Sequence, residues 1–305
     1  MRNNIIDLRN VAIIGTGTMG SLIALVSAYH GYKVFLYDAN EKAFDETLIK
    51  LRKEAKSRNV KAFIPLDGWD KALENIETKR TIYDAVKEVH LVIEAVPEKL
   101  SLKQEIFKEI GKSVSPSTII ASNSSSIPIS RLENSSSHLE NCLNIHFYLG
   151  AKMADIMGGT KTSEEIYKSG VEWIQSLDFY PIKVKKEILG FCYNRIWRVI
   201  KREALYMWAN EFVDYRDIDR ASMLLSGAAS GPFGSMDAVG LDVVYDIEMI
   251  YYKESGEERD KPPEKLKEMI SRGELGIKTG KGFYTYPNPE YRDPNFLNPK
   301  IKNKK

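Results

Sequence analysis

The tightest constraint on the fold is a glycine pattern near the start. Val11-Ala-Ile-Ile14 runs into Gly15-x-Gly17-x-x-Gly20, and an apolar stretch over 21–30 follows. An apolar run ending on glycine reads as a buried strand, and the longer segment after it as a helix. In that setting Gly15 permits the tight turn and Gly17 lets a pyrophosphate approach the backbone. Gly20 lets helix and strand pack closely. Thr18 and Met19 then fall at a helix N-terminus, whose free N–H groups and dipole favour phosphate. The next apolar run, 33–37, closes on Asp38, eighteen positions beyond Gly20. A carboxylate there accepts hydrogen bonds from both ribose hydroxyls and repels a 2′-phosphate, so the pattern predicts NAD rather than NADP.

The same alternation continues through the first half. Residues 40–57 read as a charged helix with Asn40 as its N-cap. Leu91-Val-Ile-Glu-Ala95 reads as a buried strand, and Ser101-x-x-Gln104 matches a capping box opening a helix to about 113. Residues 118–121, 142–147 and 180–185 read as further strands. Solid apolar strands separated by helices predict an α/β, Rossmann-type, doubly wound and mostly parallel sheet covered on both faces. After 186 the pattern turns helical, over 196–212, 239–252 and 262–272. The expected division is an NAD-binding domain over 1–187 and an all-helical domain over 188–305, with the boundary in 185–189. Three prolines between 287 and 294 mark an irregular end.

Composition narrows the class. A chain of 305 residues holds two domains with cores of their own, and 43% hydrophobic with 28% charged residues excludes a disordered polymer. A net charge of +2 gives no bulk electrostatic case for nucleic acid or a membrane surface. Lys300, Lys302, Lys304 and Lys305 read as a solvated tail. Cys142 and Cys192 lie in apolar runs, so both are expected as small core residues rather than a disulfide or metal pair. No metal is expected, and the compartment is expected to be reducing. The first nine residues are too polar for a secretory signal and no run is apolar for a bilayer's width, which predicts a cytoplasmic protein.

Three further motifs fall at segment ends. Ser122-Asn-Ser-Ser-Ser126 follows the 118–121 strand, His146 lies in Cys-Leu-Asn-Ile-His-Phe, and Asn194 in Gly190-Phe-Cys-Tyr-Asn-Arg195. Singly they read as a turn, a core histidine and a helix cap. Together, downstream of a dinucleotide loop, a hydroxyl, an imidazole and an amide suit oxidation of a secondary alcohol. An imidazole takes the hydroxyl proton while hydride leaves, and such a base contributes about 10²–10⁴ in rate. A carboxylate on the other ring nitrogen fixes the tautomer. Hydroxyl and amide donors hold the charge that develops on oxygen during reduction.

The order and spacing of these motifs resemble the 3-hydroxyacyl-CoA dehydrogenase family over nearly the whole chain. In that family Ser-Asn-x-Ser-Ser carries the reactive hydroxyl two positions after the Asn, which here is Ser125. The catalytic histidine opens His-Phe-Phe-Asn-Pro twenty-one positions further on, which here is His146. Gly-Phe-x-x-Asn-Arg implies that Asn194 faces the substrate. Lys-Thr-Gly-x-Gly-Phe-Tyr matches 278–284 and implies Lys278 as a cofactor contact. Glu98 and Lys103 fit a solvated helix start equally well by pattern. The resemblance implies that this Glu-x-x-x-x-Lys holds the cofactor's ribose. Family members also use a basic helix near Lys50, Arg52, Lys53, Lys56, Arg58 and Lys61 to hold CoA phosphates, although a basic solvated face reads equally from the residues. The helical half carries much apolar surface for its size (Trp197, Leu205, Trp208, Met223, Leu224, Leu225, Met236, Ile250 and Tyr251). Similar enzymes dimerise there, which implies a homodimer built on residues after Leu189.

The match breaks after His146-Phe147. The Phe-Asn-Pro is absent, and the chain reads Tyr148-Leu-Gly-Ala-Lys-Met-Ala-Asp155. The family's orienting Glu stands twelve after the His, whereas Asp155 stands nine after, on a shorter loop and with one methylene less. The implied activity is NAD-dependent oxidation of an (S)-3-hydroxyacyl-CoA, such as 3-hydroxybutyryl-CoA, to the 3-oxo thioester. The altered loop and Met157-Gly-Gly-Thr-Lys-Thr162 also occur in the diketoreductase branch. A CoA-free 3-hydroxy or 3-oxo acid or a diketo ester, as in diketoreductase, gulonate or carnitine dehydrogenases, is the alternative substrate. A non-catalytic NAD-binding protein like the lens crystallins of this family is a second alternative, against which the intact Ser125, His146 and Asn194 argue.

Overall fold

The computed structural model describes residues 8–58 and 64–298. The Lys-rich tail and, of the basic stretch, Lys56, Arg58 and Lys61 lie outside the residues whose side chains are described. Two compact units divide the chain, Met1–Cys192 and Tyr193–Lys305.

The first unit is built on eight strands: β1 (Asn10–Ile14), β2 (Lys33–Tyr37), β3 (Ile76–Thr78), β4 (Leu91–Glu94), β5 (Ile119–Ser122), β6 (Cys142–Phe147), β7 (Met153–Gly158) and β8 (Tyr180–Val184). Its helices are α1 (Thr18–Tyr29), α2 (Ala43–Arg58), α3 (Trp69–Leu73), α4 (Ile82–Val86), α5 (Leu100–Gly111), α6 (Glu133–Ser136) and α7 (Glu164–Ser176). The strands form one sheet in the order β3-β2-β1-β4-β5-β6-β7-β8. All neighbours are parallel except β6 and β7. This is the doubly wound order, which reverses direction between β1 and β4 and opens a crevice beyond their carboxyl ends.

The solid apolar strands are explained by burial on both faces. Along β1, Val11 and Ile13 join one core cluster with Ile93 and Ile145. Ala12 and Ile14 join the other with Val92 and Phe107. Alternate side chains leave a strand on opposite sides, so each strand needs apolar residues at every position.

The second unit is helical: α8 (Tyr193–Ala209), α9 (Tyr215–Ser226), α10 (Pro232–Val239), α11 (Leu241–Ser255) and α12 (Glu264–Ser271). Two buried carboxylates organise it. Asp219 accepts from the amides of Phe233 and Gly234, at 2.8 and 2.9 Å, where α10 begins. Asp237 accepts from the amides of Phe283 and Tyr284 at 3.0 and 2.9 Å. Burial raises the pKa of both, against these hydrogen bonds. A Cβ on Gly276 or Gly282 would meet Asp237 at 2.2 or 2.1 Å, which explains the glycines around the Lys278–Tyr284 motif.

Several local expectations need correction. The helix after Asp38 starts at Ala43, because the Asn40 side chain instead closes a turn onto the Lys42 amide at 3.1 Å. Helix α5 starts at Leu100 without a side-chain cap. Gln104, expected in a capping box, bonds the Arg131 carbonyl at 3.0 Å. Cys192 is exposed, and only Cys142 is buried, where burial pushes its thiol up to about 12. Leu205, Met223, Met236 and Tyr251 are packed inside the second unit, whereas Leu225 is 93% exposed and Leu224 and Ile250 are also exposed. Arg52 pairs with Asp70 at 2.5 Å.

Candidate active site

The sheet register brings the site residues together. Ile14 pairs with Tyr37 and with Glu94, Glu94 with Ser122, and Ser122 with Asn144. Gly15, Asp38, Ala95, Asn123 and His146 therefore emerge near the carboxyl ends of adjacent strands.

The glycine loop folds as its sequence requires. Gly15 has φ +98°, and a Cβ there would meet the Ala95 carbonyl oxygen at 2.7 Å. A Cβ on Gly20 would meet the Gly15 oxygen at 1.9 Å. Gly17 differs, since nothing lies within 4 Å of its Cβ position. Protein packing does not demand glycine there, and the open space suits a ligand lying against the backbone. Asp38 closes the loop: one oxygen accepts from the Thr16 amide at 2.7 Å and the Thr16 hydroxyl at 3.1 Å, the other from the Asn40 amide at 2.9 Å. A carboxylate offers about four acceptor positions, so capacity remains for a ribose hydroxyl.

Next to this loop sits a buried ion pair. Lys103 and Glu94, 1% and 0% exposed, meet at 2.7 Å. The same Glu94 oxygen accepts from the Val96 amide and the other from the Ser122 hydroxyl, both at 2.7 Å. Lys103 also donates to the Val96 carbonyl at 3.1 Å and lies 3.3 Å from Glu98. Glu98 in turn accepts from the hydroxyls of Ser124 and Ser126, at 2.5 and 2.7 Å. Burial works to raise the Glu98 pKa, but the Lys103 charge and the serine bonds outweigh it and hold the carboxyl below its ordinary value. Both flanks of Ser125 are thereby fixed, and Ser125 itself is exposed.

His146, 7% exposed, stands directly opposite Asp155 in the antiparallel pair of β6 and β7. Directly opposite residues share a face of the sheet. His146 Nδ1 lies 3.9 Å from Asp155 Oδ2, short of a hydrogen bond. The Tyr148 hydroxyl donates to that same oxygen. Phe191 stacks on the imidazole at 5.2 Å, 10° from parallel. Asn123 ties the serine loop to β6 by accepting from the Phe147 amide at 3.0 Å.

A cavity of about 330 Å³ joins these parts; Gly17, Thr18, Met19, Glu98, Lys103, Asn123, Ser125 and His146 line it. A larger one, about 590 Å³, lies in the second unit among Arg202, Tyr206, Glu248 and Asp260. Its lining holds no histidine, serine or cysteine, whereas the smaller cavity brings an imidazole and a hydroxyl beside the glycine loop. Asn194 is the second residue of α8, in the second unit. Lys278, also in that unit, is held by both oxygens of Asp242 at 2.6 Å. The structure thus gathers Ser125, His146 and Asp155 with the glycine loop, Glu98 and Lys103, but neither Asn194 nor Lys278 is among the groups of the first unit. Sequence reasoning missed Glu94, Asn123, Tyr148 and Phe191. A carboxylate inside the apolar Leu-Val-Ile-Glu run was the available signal for Glu94, since a buried charge needs a partner.

Comparison with known proteins places the chain among relatives over most of its length. Residues 10–188 match the model of the 3-hydroxyacyl-CoA dehydrogenase NAD-binding domain, and 190–286 match that family's C-terminal domain. The chain is 32% identical to the mitochondrial hydroxyacyl-coenzyme A dehydrogenase of Homo sapiens, over 92% of each chain. Among solved structures, it resembles the (S)-3-hydroxybutyryl-CoA dehydrogenase of Ralstonia eutropha, with a TM-score of 0.82 and 30% identity over 92% of this chain and 100% of the other. It also resembles a diketoreductase described as acting on dicarbonyl compounds, with a TM-score of 0.79 and 32% identity over 92% and 99%. The glycine loop, its open face at Gly17 and Asp38 fit NAD. The chain is an oxidoreductase with an NAD-binding Rossmann-type domain, and it belongs to the 3-hydroxyacyl-CoA dehydrogenase family.

Proposed function

We propose that this protein oxidises (S)-3-hydroxyacyl-CoA thioesters of the 3-hydroxybutyryl-CoA type, reversibly and with NAD, using His146 as the base. The observation that carries the reading is His146 paired across the sheet with Asp155, in the same cavity as the dinucleotide loop. Bound NAD supplies acceptance and return of hydride. The residues do the rest. The α1 N-terminus and glycine loop hold the pyrophosphate, Asp38 accepts from the adenosine ribose and disfavours a 2′-phosphate, and Glu98 with Lys103 holds the other ribose. Nδ1 faces Asp155, which leaves Nε2 of His146 to take the hydroxyl proton. Asp155 then stabilises the imidazolium. Ser125 donates to the substrate oxygen, and Asn194 is carried as a substrate-facing amide on the family resemblance alone. We place the enzyme in the cytoplasm, where its two free thiols stay reduced.

A second reading has one observation in its favour. The turn over 148–152 is shorter than the family motif implies and lacks Phe-Asn-Pro, on the side that lines the substrate in similar enzymes. A CoA-free 3-oxo acid or a diketo ester, the class of compound named for the diketoreductase relative, is then the substrate. Both readings are separated by NADH oxidation with acetoacetyl-CoA, free 3-oxo acids and diketo esters side by side. The highest kcat/KM is expected with acetoacetyl-CoA. A higher value for a free acid or ester would replace the first reading by the second, and no turnover by protein that binds NADH would remove both.

Asp38→Ala is expected to narrow the preference for NADH over NADPH by about tenfold or more, the effect of 1.36 kcal/mol, while also raising KM for NADH through the loosened loop. Equal use of both cofactors by the wild type would refute this role. Asp155→Asn keeps the shape and the bond from Tyr148, yet should cut turnover at least about tenfold because the imidazolium loses its counter-charge. Turnover within about twofold of wild type would show that Asp155 is not the partner. Finally, the helical unit is proposed to form a homodimer. Ile196, Val199 and Ile200 recur at helical spacing on α8 and are 54%, 52% and 44% exposed, and Leu224 and Leu225 are exposed on α9. A stable interface covers about 800 Å² per partner. Sedimentation at micromolar concentration should give the dimer mass, and a monomer would contradict the proposal.

A further inference from the structure

The stretch that departs from the family motif carries a side chain without a role in that motif. Tyr148 stands two residues beyond His146, where the motif has its second Phe. Its hydroxyl donates to Oδ2 of Asp155, the oxygen that lies 3.9 Å from His146 Nδ1. Its ring meets the imidazole edge-on, with centroids 4.5 Å apart. Asp155 is fully buried. Its Oδ1 and the histidine Nδ1 both lack a hydrogen-bond partner among the described residues. The phenol is thus the neighbour that bonds the acid, and it touches the base as well.

The physical consequence follows from charge sharing. A hydrogen bond donated to a carboxylate favours its ionised form and draws off part of the charge that it presents to its next neighbour. The other groups near the imidazole do not compensate. Glu98 and Lys103, which line the same cavity, form an ion pair at 3.3 Å, Ser125 offers a neutral hydroxyl, and Phe191, stacked on the ring, is apolar. Asp155 is therefore the acid whose charge reaches the imidazole most directly.

We propose that Tyr148 is a positioning residue: it holds the Asp155 carboxylate in place and tempers the charge that this carboxylate presents to His146. It thereby sets the pH range over which the imidazole is a neutral base. The proposal rests on the reading of His146 as that base, and it predicts an effect that a merely structural tyrosine would not produce.

The test is an NMR titration of the His146 imidazole without substrate, its signals assigned by their loss in His146→Gln. It is run on wild type, Tyr148→Phe, Asp155→Asn and the double variant, each first shown by circular dichroism and NADH binding to be folded. Tyr148→Phe removes one oxygen and should move the midpoint to higher pH, because the carboxylate acts on the imidazole unshared. Asp155→Asn should move it lower. In the Asp155→Asn background, Tyr148→Phe should add nothing, since the phenol acts through the acid. In turnover, the acid limb of the oxidation profile should rise with the titration midpoint in Tyr148→Phe, with KM for NAD unchanged. Coincident wild-type and Tyr148→Phe curves, a downward shift, or an upward shift that survives loss of the carboxylate would each overturn the proposal. The titration needs no turnover, so its failure is separate from failure of the dehydrogenase reading, which would appear as an inactive wild type.

Discussion

The buried pair of Glu94 and Lys103 is the interaction on which the first unit's site depends. It sits where the strand order reverses, between the carboxyl ends of β1 and β4 on one side and the serine loop on the other. Through Glu94 it reaches β5, by way of Ser122, and the Val96 amide. Through Lys103 it reaches α5, the Val96 carbonyl and Glu98, and Glu98 secures Ser124 and Ser126. Removing one partner of such a pair leaves a buried charge uncompensated, at a cost of about 3–5 kcal/mol, while replacing both by apolar groups is often neutral. Stability alone does not account for an ion pair here. Its five connections fix the turn after β4, α5 and the Ser125 loop in one frame, which an apolar substitute would not do.

What the sequence disclosed followed from local rules. The glycine loop was legible because only a tight strand-to-helix turn explains three glycines at that spacing after an apolar run, and Gly15 and Gly20 have no room for a Cβ. The doubly wound sheet was legible because burial on both faces removes the alternation of polar and apolar residues from β1, β4 and β5. Strand β7 escaped notice because Asp155 interrupts its apolar run, and only the strand opposite gives that acid a reason to be buried. Helices α9 and α10 escaped because Asp219 is a buried carboxylate on α9. Its partners are the amides at the start of α10, and no periodicity reports that contact. Gln104 was misread as a cap because its tertiary partner, the Arg131 carbonyl, lies twenty-seven residues away. In each case the missed feature was a polar group satisfied by a distant segment.

The stretch after His146 departs from the family motif, yet a carboxylate still stands opposite His146 in the sheet. In an antiparallel pair, residues directly opposite share a face whatever the length of the turn joining them. A shift of pairing by one residue would send the acid to the other side of the sheet. Register thus decides which acid shares the histidine's face, and here it sets Asp155 opposite His146 across a short turn. The acid's own length is a separate matter. An aspartate lacks the methylene of a glutamate, and from the neighbouring strand it stops 3.9 Å from Nδ1. A buried carboxylate left short of its partner needs another donor. Tyr148, on the shortened turn itself, supplies one. The short turn, the short acid and the tyrosine are therefore physically connected, since the phenol bonds the carboxylate that stops short of the imidazole.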